Sequence, residues 1–144
     1  MARVLVIIPA YNEEATIAAV LRQIRAAAPD YDIVVVNDGS IDQTGARVRD
    51  SGEATLLSLP FNLGIGGAMQ TGYKYARRNG YDIAVQCDAD GQHPADEIVR
   101  LVSRIEDGSA DVVIGSRYVA NSDYTPSLSR RIGKSLLSRW INLF

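Results

Sequence analysis

Apolar residues along this chain fall into short unbroken runs, separated by stretches in which they recur every three or four positions. The unbroken runs are Val4 to Ile8, Ile33 to Val36, Thr55 to Leu59, Ile83 to Cys87 and Val112 to Ile114. Their brevity and β-branched content suit strands, and continuous apolarity means strands covered on both faces. Between them, Ile17, Val20, Leu21 and Ile24 form one helical stripe, and Ile98, Leu101, Val102 and Ile105 another. Strand and helix in alternation predict an α/β fold, with a mostly parallel sheet between helices.

Local signals agree with that order. Asn12 is expected to cap the first helix, with Glu13 and Glu14 in its first turn, where the helix dipole favours anions. Ser40 and Gln43 form a capping box. A third helix is expected from near Gly66 to Gly80, a glycine stop, and Pro94 opens a fourth. Gly108-Ser109 is a tight link, and Ala120 to Pro126 a flexible loop.

The length of 144 residues, 47% of them hydrophobic, suits one globular domain with a sizeable core. No apolar run approaches the roughly 18 residues of a membrane-spanning helix. Met1-Ala2-Arg3 leads straight into the first strand, so the start does not read as a signal peptide. The single cysteine, Cys87, allows no intrachain disulfide and fits a reducing cytosol. Charge is divided unevenly: residues 1–116 carry 10 Lys and Arg against 16 Asp and Glu, and residues 117–144 carry 5 against 1. The basic end is short and interleaved with apolar residues, which suits a phosphate or an anionic surface and gives no support to nucleic-acid binding.

In an open parallel sheet, ligands bind beyond the carboxyl ends of the strands. Three polar clusters stand there. Strand four runs into Asp88-Ala89-Asp90-Gly91-Gln92, where Gly91 permits a turn that gathers Asp88, Asp90 and the Gln92 amide about one point. Hard oxygen donors in small number suit Mg2+ or Mn2+, which keep open positions for water and phosphate oxygens. The neighbouring His93, just before Pro94, reads as a turn residue in preference to a ligand. Strand one runs into Pro9-Ala10-Tyr11-Asn12-Glu13-Glu14 and strand two into Asn37-Asp38-Gly39-Ser40. Tyr11 offers a ring or hydroxyl, Pro9 fixes the backbone, and Asp38 or Glu13 can accept hydrogen bonds from a base or ribose. Asn12, Glu13 and Ser40 equally suit plain helix starts, and Asp38-Gly39 a plain turn.

Gly64, Gly66 and Gly67 follow the third strand, not the first, and lack the spacing of a dinucleotide fingerprint. Glycine and alanine there let the helix approach the sheet or a ligand closely. Arg117, after the fifth run, has a forked guanidinium suited to phosphate, or to a surface ion pair. From Leu128 onward, Leu128, Ile132, Leu136, Leu137, Trp140, Ile141 and Phe144 trace a helical stripe, with Arg130, Arg131, Lys134, Ser138 and Arg139 largely opposite. Such a basic amphipathic helix suits a membrane interface, and equally packing on its own domain or on a partner protein.

Taken together, Pro9-Ala10-Tyr11-Asn12-Glu13-Glu14, Asn37-Asp38-Gly39-Ser40, Asn62-Leu63-Gly64, Asp88-Ala89-Asp90-Gly91-Gln92-His93-Pro94 and Gly115-Ser116-Arg117 resemble the family 2 glycosyltransferases of the GT-A fold. Within them the chain is most similar to dolichol- and polyprenyl-phosphate mannosyl- and glucosyltransferases. The likeness covers residues 3 to about 120. It implies that Asp88, Asp90 and Gln92 hold Mg2+ or Mn2+ against a nucleotide diphosphate sugar, with Pro9, Tyr11, Glu13 and Asp38 at the nucleoside. It further implies that Arg117 and Arg131 hold an acceptor phosphate. The implied activity is metal-dependent hexose transfer to a polyprenyl phosphate, with inversion, by a peripheral protein at the cytosolic membrane face. Residues 1–120 would form the donor-binding domain, and 121–144 the start of an acceptor or membrane-interface region.

Family members usually continue well beyond this length, so the chain is expected to be a fragment or a minimal member. A nucleotide-sugar-binding module without transfer activity of its own is the alternative. A nucleotidyltransferase should carry a glycine-rich phosphate loop after strand one, and Pro9-Ala10-Tyr11-Asn12 is not one.

Overall fold

A computed structural model describes residues 2–92 and 94–115. The chain divides into a compact unit Met1–Ile114 and a second, Gly115–Phe144. The elements of the first unit are β1 (Val4–Ala10), α1 (Ile17–Ala27), β2 (Asp32–Asn37), α2 (Thr44–Ser51), β3 (Thr55–Ser58), α3 (Gly64–Arg78), β4 (Ile83–Gln86) and α4 (Ala95–Glu106). The sheet runs β3-β2-β1-β4, and each neighbouring pair is parallel. Leu5 lies opposite Asp32 and Ala10 opposite Asn37, whereas β4 accompanies β1 only from Val4 to Ile7.

Alternate residues of the central strands face opposite layers. Leu5, Ile7, Val34 and Val36 pack with Ala68, Met69 and Ala76 of α3. On the other face, Val6, Ile8, Ala10, Ile33 and Val35 meet Ile17, Leu21 and Ile24 of α1, Val48 of α2 and Ile98 of α4. Two-sided burial is why β1 and β2 read as unbroken apolar runs. Each such side chain contributes about 1.5–3 kcal/mol relative to exposure, so these strands anchor the molecule.

The close approach of helix to sheet lies deeper in α3 than the glycine cluster suggests. A Cβ at Gly72 would collide with Cγ2 of Ile7, whereas one at Gly66 would meet nothing. Ala68 is fully buried against the sheet, as expected of a small residue there. The helix starts at Gly64, two residues before the expected position. It ends at Arg78, and a left-handed Gly80 follows with a paired closure: the Gly80 N–H donates to the Arg77 carbonyl at 3.4 Å and the Tyr81 N–H to the Ala76 carbonyl at 3.1 Å. Pro94 precedes α4, whose first turn carries Asp96 and Glu97.

Two expected caps are not caps. α1 begins at Ile17, and Asn12 instead sits in left-handed backbone at φ 55°. Its side chain accepts the Ile41 N–H at 3.0 Å, so a bond across two loops has replaced one to its own helix. Ser40 likewise accepts the Asn12 N–H at 3.0 Å, and the residue that receives the first N–H of α2 is Asp42, from Thr44 at 2.9 Å. Val112 to Ile114, the expected fifth strand, is not in the sheet, and Val112 and Ile114 are 77% and 84% exposed. A strand needs a neighbour, and none is hydrogen-bonded to the outer edge of β4 among the described residues. His93, Arg117, Arg131 and the amphipathic segment 128–144 lie outside the described residues.

Candidate donor-binding crevice

From β1 the chain moves outward through β2 to β3, then returns to place β4 on the other side of β1. The order therefore reverses between β1 and β4, where two strand ends diverge and leave a cleft. Local chemistry widens it. The Cys87 N–H donates to the Ile7 carbonyl and the Asp38 N–H to the Ala10 carbonyl, so successive residues of β1 face β4 and β2 in turn. That alternation sets Pro9 toward β4, and proline has no N–H to continue the ladder. The sheet parts at this point.

The resulting crevice has a volume of about 360 Å³ and is lined by Pro9, Tyr11 and Glu13 from the end of β1, Asp38 from β2, Asn62 and Ile65 near the start of α3, and Asp88 and Asp90 after β4. Six of the residues singled out from sequence thus meet in one place. Gln92 is not among the lining residues; its N–H donates to Oδ1 of Asp90 at 2.9 Å, closing the turn that left-handed Gly91 permits. Asp88 and Asp90 flank Ala89, which is buried, so leaving the strand has brought both acids to the same cleft.

Asp38 is 3% exposed, which for a carboxylate demands a partner. Its Oδ1 accepts the Leu63 N–H at 2.7 Å, tying the β2 end to the loop before α3. Gly39 makes this approach possible. It is left-handed at φ 69°, and a Cβ there would stand 2.6 Å from the Phe61 carbonyl carbon. Tyr11, 46% exposed, stands at the rim. The Glu13 carboxylate accepts the Thr16 hydroxyl at 2.7 Å. Next to the acids, Cys87 is buried, and its thiol is pushed up to about 11, chiefly by burial and further by the charges of Asp88 and Asp90. It is a thiol at neutral pH and packs as an ordinary buried residue.

Among the described residues no group of three His, Cys, Asp or Glu side chains is placed to hold a metal. Two carboxylates alone can do so for a cation that takes its remaining ligands from water and phosphate, and this is the behaviour of Mg2+ and Mn2+. The donor set therefore fits those ions.

Sequence reasoning assigned no role at the site to Asn62 and Ile65, although they line it. The rule that found the other clusters, polar residues beyond a strand's carboxyl end, also covers Asn62 after β3. It missed Asp42 as well. Partial burial works to raise the pKa of that carboxyl, but hydrogen bonds from the Thr44 hydroxyl and N–H and from the Glu14 N–H outweigh it and hold the pKa below its ordinary value.

Residues 5–142 match the family model described as Glycosyl transferase family 2. The chain is 38% identical over 122 residues to a polyprenol monophosphomannose synthase of Mycolicibacterium smegmatis, covering 81% of this chain and 46% of that protein. It is 39% identical over 121 residues to an undecaprenyl-phosphate mannosyltransferase of Micrococcus luteus, covering 81% and 49%. It thus spans about half the length of these curated relatives. Among solved structures, a mannosyltransferase from Pyrobaculum calidifontis in complex with GDP-Man and Mn2+ superposes with a TM-score of 0.60 at 31% identity, over 68% of this chain and 30% of that one. A glucosyl-3-phosphoglycerate synthase from Mycobacterium tuberculosis with Mn2+ and UDP-glucose gives 0.59 at 30% identity, over 72% and 39%.

Proposed function

Since the chain belongs to the family 2 glycosyltransferases, we propose that its crevice binds the donor of a metal-dependent, inverting transfer of a hexose from a nucleotide diphosphate sugar to a polyprenyl phosphate. The observation that carries this reading is the convergence of Asp88 and Asp90 with Asp38, Tyr11 and Glu13 on one cleft at the β1/β4 switch point. Relatives are named for transfer to polyprenol and undecaprenyl phosphate, and structural neighbours hold Mn2+ with GDP-Man or UDP-glucose. These support the acceptor class and the cofactor.

The roles follow from position. Asp38, buried and already held through one oxygen, presents an acceptor to the base or ribose. Tyr11 at the rim supplies a ring or a hydroxyl, and Glu13 a second acceptor beside it. Asp88 and Asp90, with Gln92 on the same turn, would hold Mg2+ or Mn2+. Such an ion would offset the charge that gathers on the departing nucleoside diphosphate. Arg117 and Arg131 are assigned to the acceptor phosphate, and Arg117 is counted with Asp88 and Asp90 among the catalytic residues. A phosphate acceptor is already anionic and needs no base from the protein to attack the anomeric carbon from the face opposite the leaving group, which gives inversion.

Domain limits of 1–120 for donor binding and 121–144 for the acceptor or membrane side accompany this assignment. No helix among the described residues is long and apolar enough to cross a membrane. A peripheral place at the cytosolic membrane face, held by 128–144, suits the acceptor.

Calorimetric titration of GDP-mannose and of UDP-sugars, with and without Mn2+, tests the donor half, and radiolabelled transfer to a polyprenyl phosphate tests the whole. Asp90→Ala should abolish metal-dependent binding and transfer while leaving the circular dichroism spectrum unchanged. Full transfer in chelator would overturn the assignment. Donor binding without turnover would mark the chain as a nucleotide-sugar-binding module.

A further inference from the structure

The loops after β1 and β2 carry opposite parts of the crevice: Tyr11 and Glu13 on the first, Asp38 at the base of the second. Five hydrogen bonds fasten them, each joining a backbone N–H to a side chain. Three run from the first loop: Asn12 to Ser40 Oγ at 3.0 Å, Glu13 to Thr44 Oγ1 at 2.8 Å, and Glu14 to Asp42 Oδ2 at 3.1 Å. Two return, from Ile41 to Asn12 Oδ1 at 3.0 Å and from Gln43 to Glu14 Oε2 at 2.8 Å. Asp38 extends the fastening to the third loop through Leu63.

Asn12 is the key of this lattice. Among the described residues it is the one non-glycine with positive φ, at 55°. Asparagine tolerates that backbone better than most side chains, and here its carbonyl oxygen is also in use. It gives its N–H to one residue of the neighbouring loop and accepts from the next. Yet it does not line the crevice; the residues on either side of it do. A residue that served only to start α1 would make neither bond and would not need left-handed backbone.

We propose that Asn12 is a positioning residue for the nucleoside of the donor, holding Tyr11 and Glu13 at a fixed separation from Asp38 before any ligand arrives. The inference rests on the nucleotide-sugar assignment above. Pre-organisation of this kind raises affinity by removing the cost of ordering the loops on binding. It acts on the nucleoside side alone, because no bond of the lattice reaches Asp88 or Asp90.

The test compares GDP and UDP, each with Mn2+, against inorganic pyrophosphate with Mn2+, which lacks a nucleoside. On the full chain, Asn12→Ala removes the acceptor and disfavours the backbone. It should weaken binding of the nucleoside diphosphate that the wild type prefers by about ten-fold or more, and leave pyrophosphate binding unchanged. Asn12→Asp keeps an acceptor oxygen and should restore most of the affinity. Ser40→Ala removes a single bond, puts little at risk in folding, and should show the same selectivity with a smaller effect. Amide exchange at Ile41, measured without ligand, should be slow in the wild type and fast in Asn12→Ala. Equal loss for nucleoside diphosphate and pyrophosphate, or no loss for either, would overturn the positioning role. A wild type that binds neither GDP nor UDP, with Ile41 still protected, would locate the failure in the nucleotide assignment on which the role depends.

Discussion

Asp42 shows what one carboxylate does when backbone and hydroxyl donors converge on it. Oδ1 accepts from the Thr44 N–H at 2.9 Å and from its hydroxyl at 2.5 Å, and Oδ2 from the Glu14 N–H at 3.1 Å. Because these bonds favour the ionised form, the folded pKa lies below the ordinary 3.8. The contribution to stability is therefore present in full above the unfolded value and is lost as pH falls through the lower folded one. Acid unfolding followed by circular dichroism should show the wild type losing stability below about pH 4, with Asp42→Asn less stable at neutral pH by about 1 kcal/mol and flatter in acid. At this scale the sequence was legible where strand ends announce themselves: Asp88, Asp90, Asp38, Tyr11 and Glu13 all stand just beyond an apolar run and all reach the crevice. Asn12 and Ser40 were not legible. A helix cap and a bond across loops use the same residue types, and only the distance between Asn12 and Ile41 in space tells them apart.

Among the elements, β1 to β4 were readable because burial on both faces, or a turn at each end, marks them in one dimension. Val112 to Ile114 shows the limit of that signal. Apolarity says that a segment has surface to bury, but the neighbour that would bury it is a property of the whole sheet. The tight seat of α3 was legible only in outline, since small residues recur from Gly64 to Gly72 and sequence does not show which one faces the strand. Ile7 is fully buried and β-branched, so it cannot swing aside for a methyl group at Gly72. Gly72→Ala should thus lower stability by about 1–3 kcal/mol despite alanine's better helix propensity. Urea denaturation would measure it; an unchanged or raised midpoint would mean that α3 can lift from β1 without loss. Gly66→Ala, with open space around it, is the matched control and should be neutral or stabilising.

For the molecule as a whole, the division of charge has a measurable consequence. Residues 117–144 carry 5 basic groups against 1 acidic, while residues 1–116 carry 10 against 16. If the basic segment meets an anionic membrane, the full chain should sediment with vesicles containing anionic lipid at low salt and be released as ionic strength rises. Equal binding to neutral vesicles would point to the apolar stripe, and no binding to either would favour a protein partner. The fold class and the end of the sheet that carries the site were both legible from element order alone. The parting of the sheet was not, because it depends on which way Pro9 faces. That orientation makes the mouth of the crevice a covalent property of the chain. Replacing Pro9 with alanine should supply the missing donor and let the two strands pair one step further, narrowing the mouth of the crevice.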